Sequence, residues 1–325
     1  MKAAVIKRYG PPEVVEIRDV PKPAPGDSEV LVRVRATTVN SGDARVRGLR
    51  VPRGVALLVR LQLGWSGPRQ PVSGLEAAGV VEALGKNVTR FRPGDRVVAS
   101  RGFAFGCHAE YICVAEDGPL AVIPEGMSDT DAISLLFGGV TSLVFLRLGK
   151  LRKGESILVN GASGAVGVMA VQIAKHMGAE VTGVCSTANV DLVRSLGADR
   201  VIDYRQADFS QTGETWDVIM ENVGNAPFSR VKGLLKPGGR YLMVIGDLFQ
   251  MIGGAFNKQV IAPAGGSDAS AVNAENYAEL LRLAAAGAIR PVIDSTYPFD
   301  RIVDAHRRVD TEHKVGSVIV TLDWG

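Results

Sequence analysis

Residues 156–176 read SILVNGASGAVGVMAVQIAKH, and their pattern limits the folds that the chain can form. Ser156–Asn160 is a short apolar run typical of a buried strand, and residues 166–176 have the apolar spacing of a helix. Between them, residues 161–167 (GASGAVG) supply glycines that permit a tight turn and a close backbone approach. The helix that follows would offer free N–H groups to a pyrophosphate. This context predicts a dinucleotide-binding site, although the spacing is G-x-x-G-x-x-G rather than G-x-G-x-x-G.

The residues after the second predicted strand (residues 181–185) indicate which dinucleotide binds. An NAD site needs a carboxylate about 20 residues after the glycines, to accept a hydrogen bond from the ribose 2′-hydroxyl. The corresponding window, GVCSTAN at residues 183–189, contains no acid. Ser186 or Thr187 could donate to a 2′-phosphate, which a carboxylate would repel, so the pattern favours NADPH over NADH. The alternative is a polar strand end with no such role.

The rest of the chain divides into two kinds of pattern. From about residue 122, strands and helices alternate, which predicts an α/β fold with a doubly wound parallel sheet. The first 120 residues are β-rich, with period-2 alternation in VLVRVRA at residues 30–36. We therefore predict a discontinuous substrate domain, residues 1–121 and 267–325, and a dinucleotide-binding domain, residues 122–266.

Length and composition exclude several classes of protein. At roughly 150 residues per domain, 325 residues suggest two domains, and 46% hydrophobic with 22% charged residues is a globular composition. The net charge is +3, too small a surplus to indicate nucleic-acid binding. We expect no membrane-spanning segment and no signal peptide. With only three cysteines, the expected location is the cytoplasm.

Four segments together resemble the medium-chain dehydrogenase/reductases. They are GLEAAGVVEALGKNVTRFRPGDRV (residues 74–97), the Gly-Val-Thr of residues 139–141, GASGAVG, and LGADRVIDY (residues 196–204). Their order and spacing over nearly the whole chain are most similar to the zinc-free quinone oxidoreductase branch that includes zeta-crystallin. The resemblance implies a Rossmann domain beside a β-rich GroES-like substrate domain, with the active site in the cleft between them.

Two positions indicate that this chain has no catalytic zinc. Zinc-dependent relatives carry a Cys ligand three residues before an Asp and a His in a Gly-His-Glu triplet, and the matching residues here are Asn40 and Leu75. A carboxamide and an isobutyl group cannot replace thiolate and imidazole as zinc ligands. The four-cysteine structural lobe of those relatives is absent as well. No metal site is therefore expected.

The resemblance implies hydride transfer from NADPH to a quinone or to the β-carbon of an α,β-unsaturated carbonyl. In the family, the residues that match Asn40 and Asp43 line the substrate side of the cleft, and the match to Thr141 lies near the nicotinamide. We expect Asn40, and also Thr141, to donate to the developing oxygen. Asp43 has a structural alternative, since an Asp in NSGD can fix a loop by bonding its own backbone.

The predicted cofactor site combines the glycine-rich turn with residues at other strand ends. By resemblance, Tyr204 lies near the adenosine phosphate. Asn189 occupies a position where many relatives have a lysine for that phosphate, and Arg205 or Lys314 could supply the missing charge. The full set is Thr141, Gly161, Ser163, Gly164, Ala165, Val166, Gly167, Ser186, Asn189, Tyr204, Asn222, Ile245 and Gly246.

The expected partners are a small hydrophobic carbonyl or quinone substrate and further copies of the chain, as a homodimer or homotetramer. Two alternatives stay open: an enoyl or alkene reductase of the same superfamily, and a crystallin-like RNA-binding protein with vestigial catalysis. Five arginines between Arg45 and Arg60 either attract an acidic ligand or form a solvated face. Neighbouring apolar residues predict a substrate lid or ordinary packing: Leu57, Leu58, Leu61, Leu63 and Trp65.

Overall fold

The computed structural model describes residues 1–50, 56–262 and 272–323, whose strands form three sheets. The N-terminal part is β-rich, as predicted. Its elements are β1 (Lys2–Ile6), β2 (Val15–Asp19), β3 (Glu29–Val39), α1 (Ser41–Gly48), α2 (Ala56–Leu63), β4 (Glu76–Leu84), β5 (Arg96–Ser100), β6 (Tyr111–Ala115) and β7 (Leu120–Val122). β1 and β2 pair as a separate antiparallel ribbon, and β3 to β7 belong to one larger sheet.

The middle of the chain alternates between helices and strands. Its elements are α3 (Asp129–Ser134), α4 (Leu136–Leu148), β8 (Ser156–Asn160), α5 (Ala165–His176), β9 (Glu180–Cys185), α6 (Val190–Ser195), β10 (Arg200–Asp203), β11 (Trp216–Glu221), α7 (Phe228–Val231), β12 (Leu235–Met243), α8 (Leu248–Ala255) and β13 (Val260–Ile261). The six strands form a parallel sheet in the order β10-β9-β8-β11-β12-β13. This order reverses between β8 and β11, so the predicted doubly wound sheet is confirmed, and its switch point lies at the end of β8.

The last elements return to the N-terminal sheet. They are α9 (Ala274–Ala285), β14 (Ile293–Pro298), α10 (Ile302–Asp310) and β15 (Ser317–Thr321). β15 pairs antiparallel with β3, which gives a seven-stranded sheet in the order β14-β15-β3-β4-β5-β7 with β6 also on β3. The domain boundaries stay predictions: residues 266 and 267 lie outside the described residues, and residue 121 lies within β7.

β8 is apolar on both faces because both faces of the parallel sheet are covered by other elements. Ile157 and Val159 pack into the core that α4 and α5 complete, whereas Leu158 faces the core that includes α7. All three side chains are fully buried. A strand buried on both faces reads as a continuous apolar run rather than an alternating one. Packing on both sides thus fixes the position of the turn that follows β8.

None of the described helices combines the length and the apolar character needed to cross a membrane.

Candidate active site

The glycine-rich turn joins the end of β8 to the start of α5. Gly161 has φ +77°, a conformation that favours glycine. A Cβ on Gly167 would lie 2.0 Å from the Gly161 carbonyl oxygen, so only glycine lets α5 approach the turn this closely. A Cβ on Gly164 would meet only that oxygen, at 3.6 Å. Gly164 is the N-cap of α5 and supplies no side-chain cap, so first-turn N–H groups remain available to an anion.

Asn189 connects the glycine-rich turn to the end of β9. Its Nδ2 donates to the Ser163 hydroxyl at 3.1 Å and to the Ser186 hydroxyl at 3.2 Å. All three residues line one large cavity. The structure therefore brings together three residues that the sequence predicted for cofactor binding, and it leaves polar atoms of each beside the turn.

Tyr204 and Arg205 follow β10 and line the same cavity, and both are exposed. The carboxylate on this side of the sheet, Asp203, is adjacent to Cys185 in the pairing of β9 with β10. It accepts a hydrogen bond from the Thr187 hydroxyl at 2.6 Å and does not line the cavity. The cavity wall at the end of β9 thus carries hydroxyl, amide and guanidinium groups.

A buried glutamate organises the end of β11. Glu221 is 1% exposed, and its carboxylate accepts from Asn160 Nδ2 at 2.7 Å and from the N–H groups of Val223 and Gly224, each at 2.6 Å. Asn222 lies between Glu221 and Val223, and its Nδ2 donates to the Asn160 carbonyl at 3.0 Å. Its Oδ1 finds no donor among the described residues, although Asn222 lines the cavity. Sequence analysis predicted Asn222 and missed Glu221, whose strand-end position was its only signal.

One continuous cavity of about 1830 Å³ connects these strand ends to the seven-stranded sheet. Toward the seven-stranded sheet its lining includes the apolar side chains of Leu75, Phe137, Val140 and Val144, which we call its apolar end. Of the predicted cofactor-binding residues, all line the cavity except Gly246, which follows the lining residue Ile245. Of the predicted lid, the described residues Leu61, Leu63 and Trp65 do not line the cavity, and Leu61 and Trp65 are exposed. The Leu57 and Leu58 side chains lie outside the described residues, so the lid stays a prediction.

Thr141 is the predicted catalytic residue that reaches the cavity. It lies one helical turn after Phe137 on α4, and its hydroxyl donates to the Phe137 carbonyl at 2.8 Å. A hydroxyl can rotate from such a bond to another acceptor.

Asn40 and Asp43 cap α1 and do not line the cavity. Asn40 Oδ1 accepts from the N–H groups of Gly42 (2.8 Å) and Asp43 (3.2 Å), while Asp43 Oδ2 accepts from the Asn40 N–H at 3.0 Å. Both residues are 3% exposed, and Asn40 Nδ2 points to the Thr38 hydroxyl at 3.4 Å. Asp43 thus has the loop-fixing role considered from the sequence. A catalytic role for either residue stays a prediction, and this geometry gives it no support.

Glu76 is a cavity residue that sequence analysis did not single out. It is 4% exposed, accepts from the Thr38 hydroxyl at 2.8 Å, and also accepts from the backbone N–H of Phe137. Burial, with a smaller contribution from the nearby Asp43, raises the pKa of the Glu76 carboxyl to about 8, against the lowering effect of these two hydrogen bonds. The carboxyl is therefore largely protonated at neutral pH and holds the start of α4 against β3 and β4.

Two features of the chain fit a nicotinamide dinucleotide. The glycine-rich turn leaves room for a diphosphate in front of the helix N-terminus. A Cβ added to Gly164 would point into space where the nearest atom is the Gly161 carbonyl oxygen, at 3.6 Å. The unpartnered Oδ1 of Asn222 supplies a buried acceptor for a ribose hydroxyl or a carboxamide. By contrast, the described residues contain no cluster of three or more His, Cys, Asp or Glu side chains that could hold a metal ion.

Comparisons with known proteins agree with this architecture. Residues 26–125 match the family described as "Alcohol dehydrogenase GroES-like domain", and residues 196–320 match "Zinc-binding dehydrogenase". The chain is 31% identical to an acryloyl-coenzyme A reductase of Metallosphaera sedula, over 99% of this chain and 100% of that protein. It is also 31% identical to a quinone oxidoreductase of Sus scrofa, over 95% and 94%. A mycobacterial protein solved in complex with NADPH superposes with a TM-score of 0.80 at 26% identity, covering 99% of this chain and 100% of that one.

The chain therefore belongs to the medium-chain dehydrogenase/reductase superfamily. Within that superfamily it falls in the quinone oxidoreductase branch, as the sequence motifs predicted. Membership makes it an oxidoreductase that uses a nicotinamide cofactor. Its oligomeric state and cellular location stay predictions.

Proposed function

We propose that this protein uses NADPH to reduce quinones or α,β-unsaturated carbonyl compounds, without a catalytic zinc. One observation carries the proposal: a single cavity connects the glycine-rich turn to an apolar end beside Thr141. A reduced dinucleotide bound along this cavity supplies a hydride to an acceptor at the apolar end. The acceptor takes a hydride and a proton, so the net change is one reduced C=C bond, or one quinone reduced to its hydroquinone.

The preference for NADPH rests on the charge at the ends of β9 and β10. Ser186, Asn189 and Arg205 face the cavity there, whereas Asp203 is turned to Thr187 outside the lining. An Arg guanidinium binds phosphate strongly, and the absent carboxylate would otherwise repel a 2′-phosphate. The mycobacterial structure solved with NADPH is consistent with this preference.

The apolar end explains the proposed acceptors. Leu75, Phe137 and Val140 provide surface for a hydrophobic carbonyl or quinone, and the Thr141 hydroxyl is a polar group beside them that can donate to the acceptor oxygen. Because Leu75 and Asn40 stand where zinc-dependent relatives have His and Cys, the proposed reduction uses hydrogen bonding rather than a zinc ion. The names of the two relatives, a quinone oxidoreductase and an acryloyl-coenzyme A reductase, support this acceptor class.

The test is the oxidation of NADPH and NADH, followed at 340 nm with a panel of enones and quinones, in the wild type and in Arg205→Met. We expect NADPH turnover, and a KM for NADPH that rises about tenfold in Arg205→Met while the KM for NADH is unchanged. Arg152→Met is the matched control, since Arg152 is exposed and lies in the loop before β8, at the opposite end of the strands. Equal use of both cofactors by the wild type would contradict the NADPH proposal. No turnover of any acceptor would contradict the reductase proposal.

A further inference from the structure

The cavity wall near the apolar end carries two arginines that the proposed reduction does not use. Arg45 lies on α1, and Arg101 directly follows β5. Neither guanidinium forms an ion pair or donates a hydrogen bond to any residue in the described part of the chain. Arg45 is exposed and Arg101 is half-buried, so the N–H donors of each guanidinium stay available to a ligand that enters the cavity.

Other arginines near the cavity already have ion-pair partners. Arg47 and Arg50 both pair with Asp310, which consumes that carboxylate. Arg230, farther along the cavity, pairs with Asp208. Of the five arginines on the described cavity lining, Arg45, Arg101 and Arg205 thus lack an ion pair, and Arg205 lies at the other end, where we assign it to the cofactor phosphate.

None of the acids on the described cavity lining forms an ion pair with these two arginines. Burial raises the pKa of Glu76 to about 8, so its carboxyl is largely uncharged at neutral pH. Glu29 accepts from the Gly26 N–H at 2.9 Å, and Glu312 lies beyond ion-pair distance of Arg45. Glu312 attracts Arg45 at longer range, but no carboxylate in the described part of the chain closes an ion pair with either guanidinium, so both stay available to an anion.

Arg45 and Arg101 lie on two segments of the chain that both approach Leu75. The Arg101 N–H donates to the Leu75 carbonyl at 3.1 Å. At Gly42, three residues before Arg45, an added Cβ would lie 3.0 Å from Leu75 Cδ1 and 3.6 Å from Phe137 Cε2. An acceptor lying against Leu75 and Phe137 would therefore have both arginines at the edge of its site.

We propose that Arg45 and Arg101 bind an anionic group of the acceptor, so that the preferred substrates are α,β-unsaturated carbonyl compounds that carry a carboxylate or a phosphate. This inference rests on the proposed function, and it names the substrate class of the same site. Guanidinium groups bind both anions through paired N–H donors, so the shared chemistry is an oxyanion held at the rim of an apolar pocket. Of the two roles considered for the arginine-rich segment, attraction of an acidic ligand then applies to Arg45.

The experiment compares kcat/KM for three acceptors with NADPH: a neutral enone, an enone of similar size with a carboxylate, and an enoyl thioester of coenzyme A, which carries phosphates. The readout is the ratio of kcat/KM for each anionic acceptor to that for the neutral one. We expect the ratio to exceed one in the wild type, and to fall about tenfold in Arg45→Ala and in Arg101→Gln, mainly through KM. A fall with the carboxylate alone, or with the thioester alone, identifies which oxyanion the site binds.

The control is Arg92→Ala, which removes the same charge from an exposed residue outside the cavity and should keep the wild-type ratio. A variant that loses activity equally on all acceptors keeps the ratio unchanged, and that outcome would overturn the inference in favour of a structural role. A wild-type ratio at or below one would overturn it as well.

Failure of the proposed function gives a different result, because then no acceptor, neutral or charged, is reduced. In that case the anion site is tested by thermal unfolding with the same carboxylate and the same thioester, in the wild type and in Arg45→Ala. A wild-type stabilisation that Arg45→Ala lacks would support the site. Equal stabilisation, or none, would overturn it.

Discussion

Glu76 sits where the substrate end of the cavity meets the start of α4, and its carboxyl makes the stability of the protein depend on pH. In the folded protein its pKa is about 8, raised chiefly by burial from the ordinary value of 4.5. The folded state therefore binds the proton more tightly than the unfolded chain. This contribution is fully present below about pH 4.5, and it is lost as the pH rises through about 8.

We expect Glu76→Gln to remove this loss of stability at high pH, because an amide has nearly the shape of a carboxyl group and cannot ionise. Relative to the wild type, the variant should gain on the order of 1–5 kcal/mol at pH 9 and much less at pH 5. Urea denaturation at both pH values measures the difference. Glu125→Gln, an exposed position after β7, is the control and should show no such pH dependence. The same gain at both pH values would contradict the burial of an ionisable group.

Asn40 tests whether a capping residue also acts in catalysis. Asn40→Ala removes the cap of α1 and should reduce the free energy of unfolding by about 1 kcal/mol. Asn40→Ser keeps a capping oxygen and removes the amide donor. We therefore expect an unchanged free energy of unfolding and a kcat/KM within about twofold of the wild type. A tenfold fall in kcat/KM for Asn40→Ser, at unchanged stability, would instead establish the catalytic role predicted from the family.

At the scale of single elements, the strand–turn–helix unit of β8 and α5 could be predicted because its signals are local. The apolar run, the glycines and the helical spacing follow one another within residues 156–176. The cavity lining could be predicted only in part. The Glu76 carboxyl on β4 accepts a hydrogen bond from the Phe137 backbone N–H on α4, and no spacing along the chain indicates that contact.

Replacing two glycines of the glycine-rich turn by alanine should have different effects, one on stability and the other on NADPH binding. Gly167→Ala places a Cβ 2.0 Å from the Gly161 carbonyl oxygen, so α5 must shift and the melting temperature should fall by several degrees. Gly164→Ala meets only that oxygen at 3.6 Å, and its φ of −73° suits any residue. We expect this variant to keep the wild-type melting temperature and to bind NADPH about tenfold more weakly, because a methyl group would occupy the phosphate side of the turn. Calorimetry and fluorescence titration measure the two effects, and wild-type affinity in Gly164→Ala would contradict the assigned site.

At the scale of the whole molecule, the chain crosses between its two large sheets and returns. Sequence patterns predicted both kinds of sheet, because alternation within a segment reflects which of its faces are buried. The contact between the sheets joins residues far apart in sequence: the Gly316 N–H, just before β15, donates to the Ser163 carbonyl at 2.9 Å. Lys314 Nζ donates to the Gly316 carbonyl at 2.6 Å and lines the cavity. The C-terminal segment thus brings a cation to the glycine-rich turn.

This arrangement predicts that NADPH affinity depends on pH through Lys314. Burial lowers the pKa of Lys314 to about 8, so its charge is lost as the pH rises from 7 to 9, while the 2′-phosphate, with a pKa of about 6, stays ionised. In the wild type, the Kd for NADPH should therefore rise several-fold over this range, because a charged lysine binds phosphate better than a neutral one. Lys314→Arg stays charged and should give a nearly constant Kd, whereas Lys314→Met should bind weakly at both pH values. If the Kd of Lys314→Arg for NADPH rises with pH as much as that of the wild type, the titrating group lies elsewhere in the cavity.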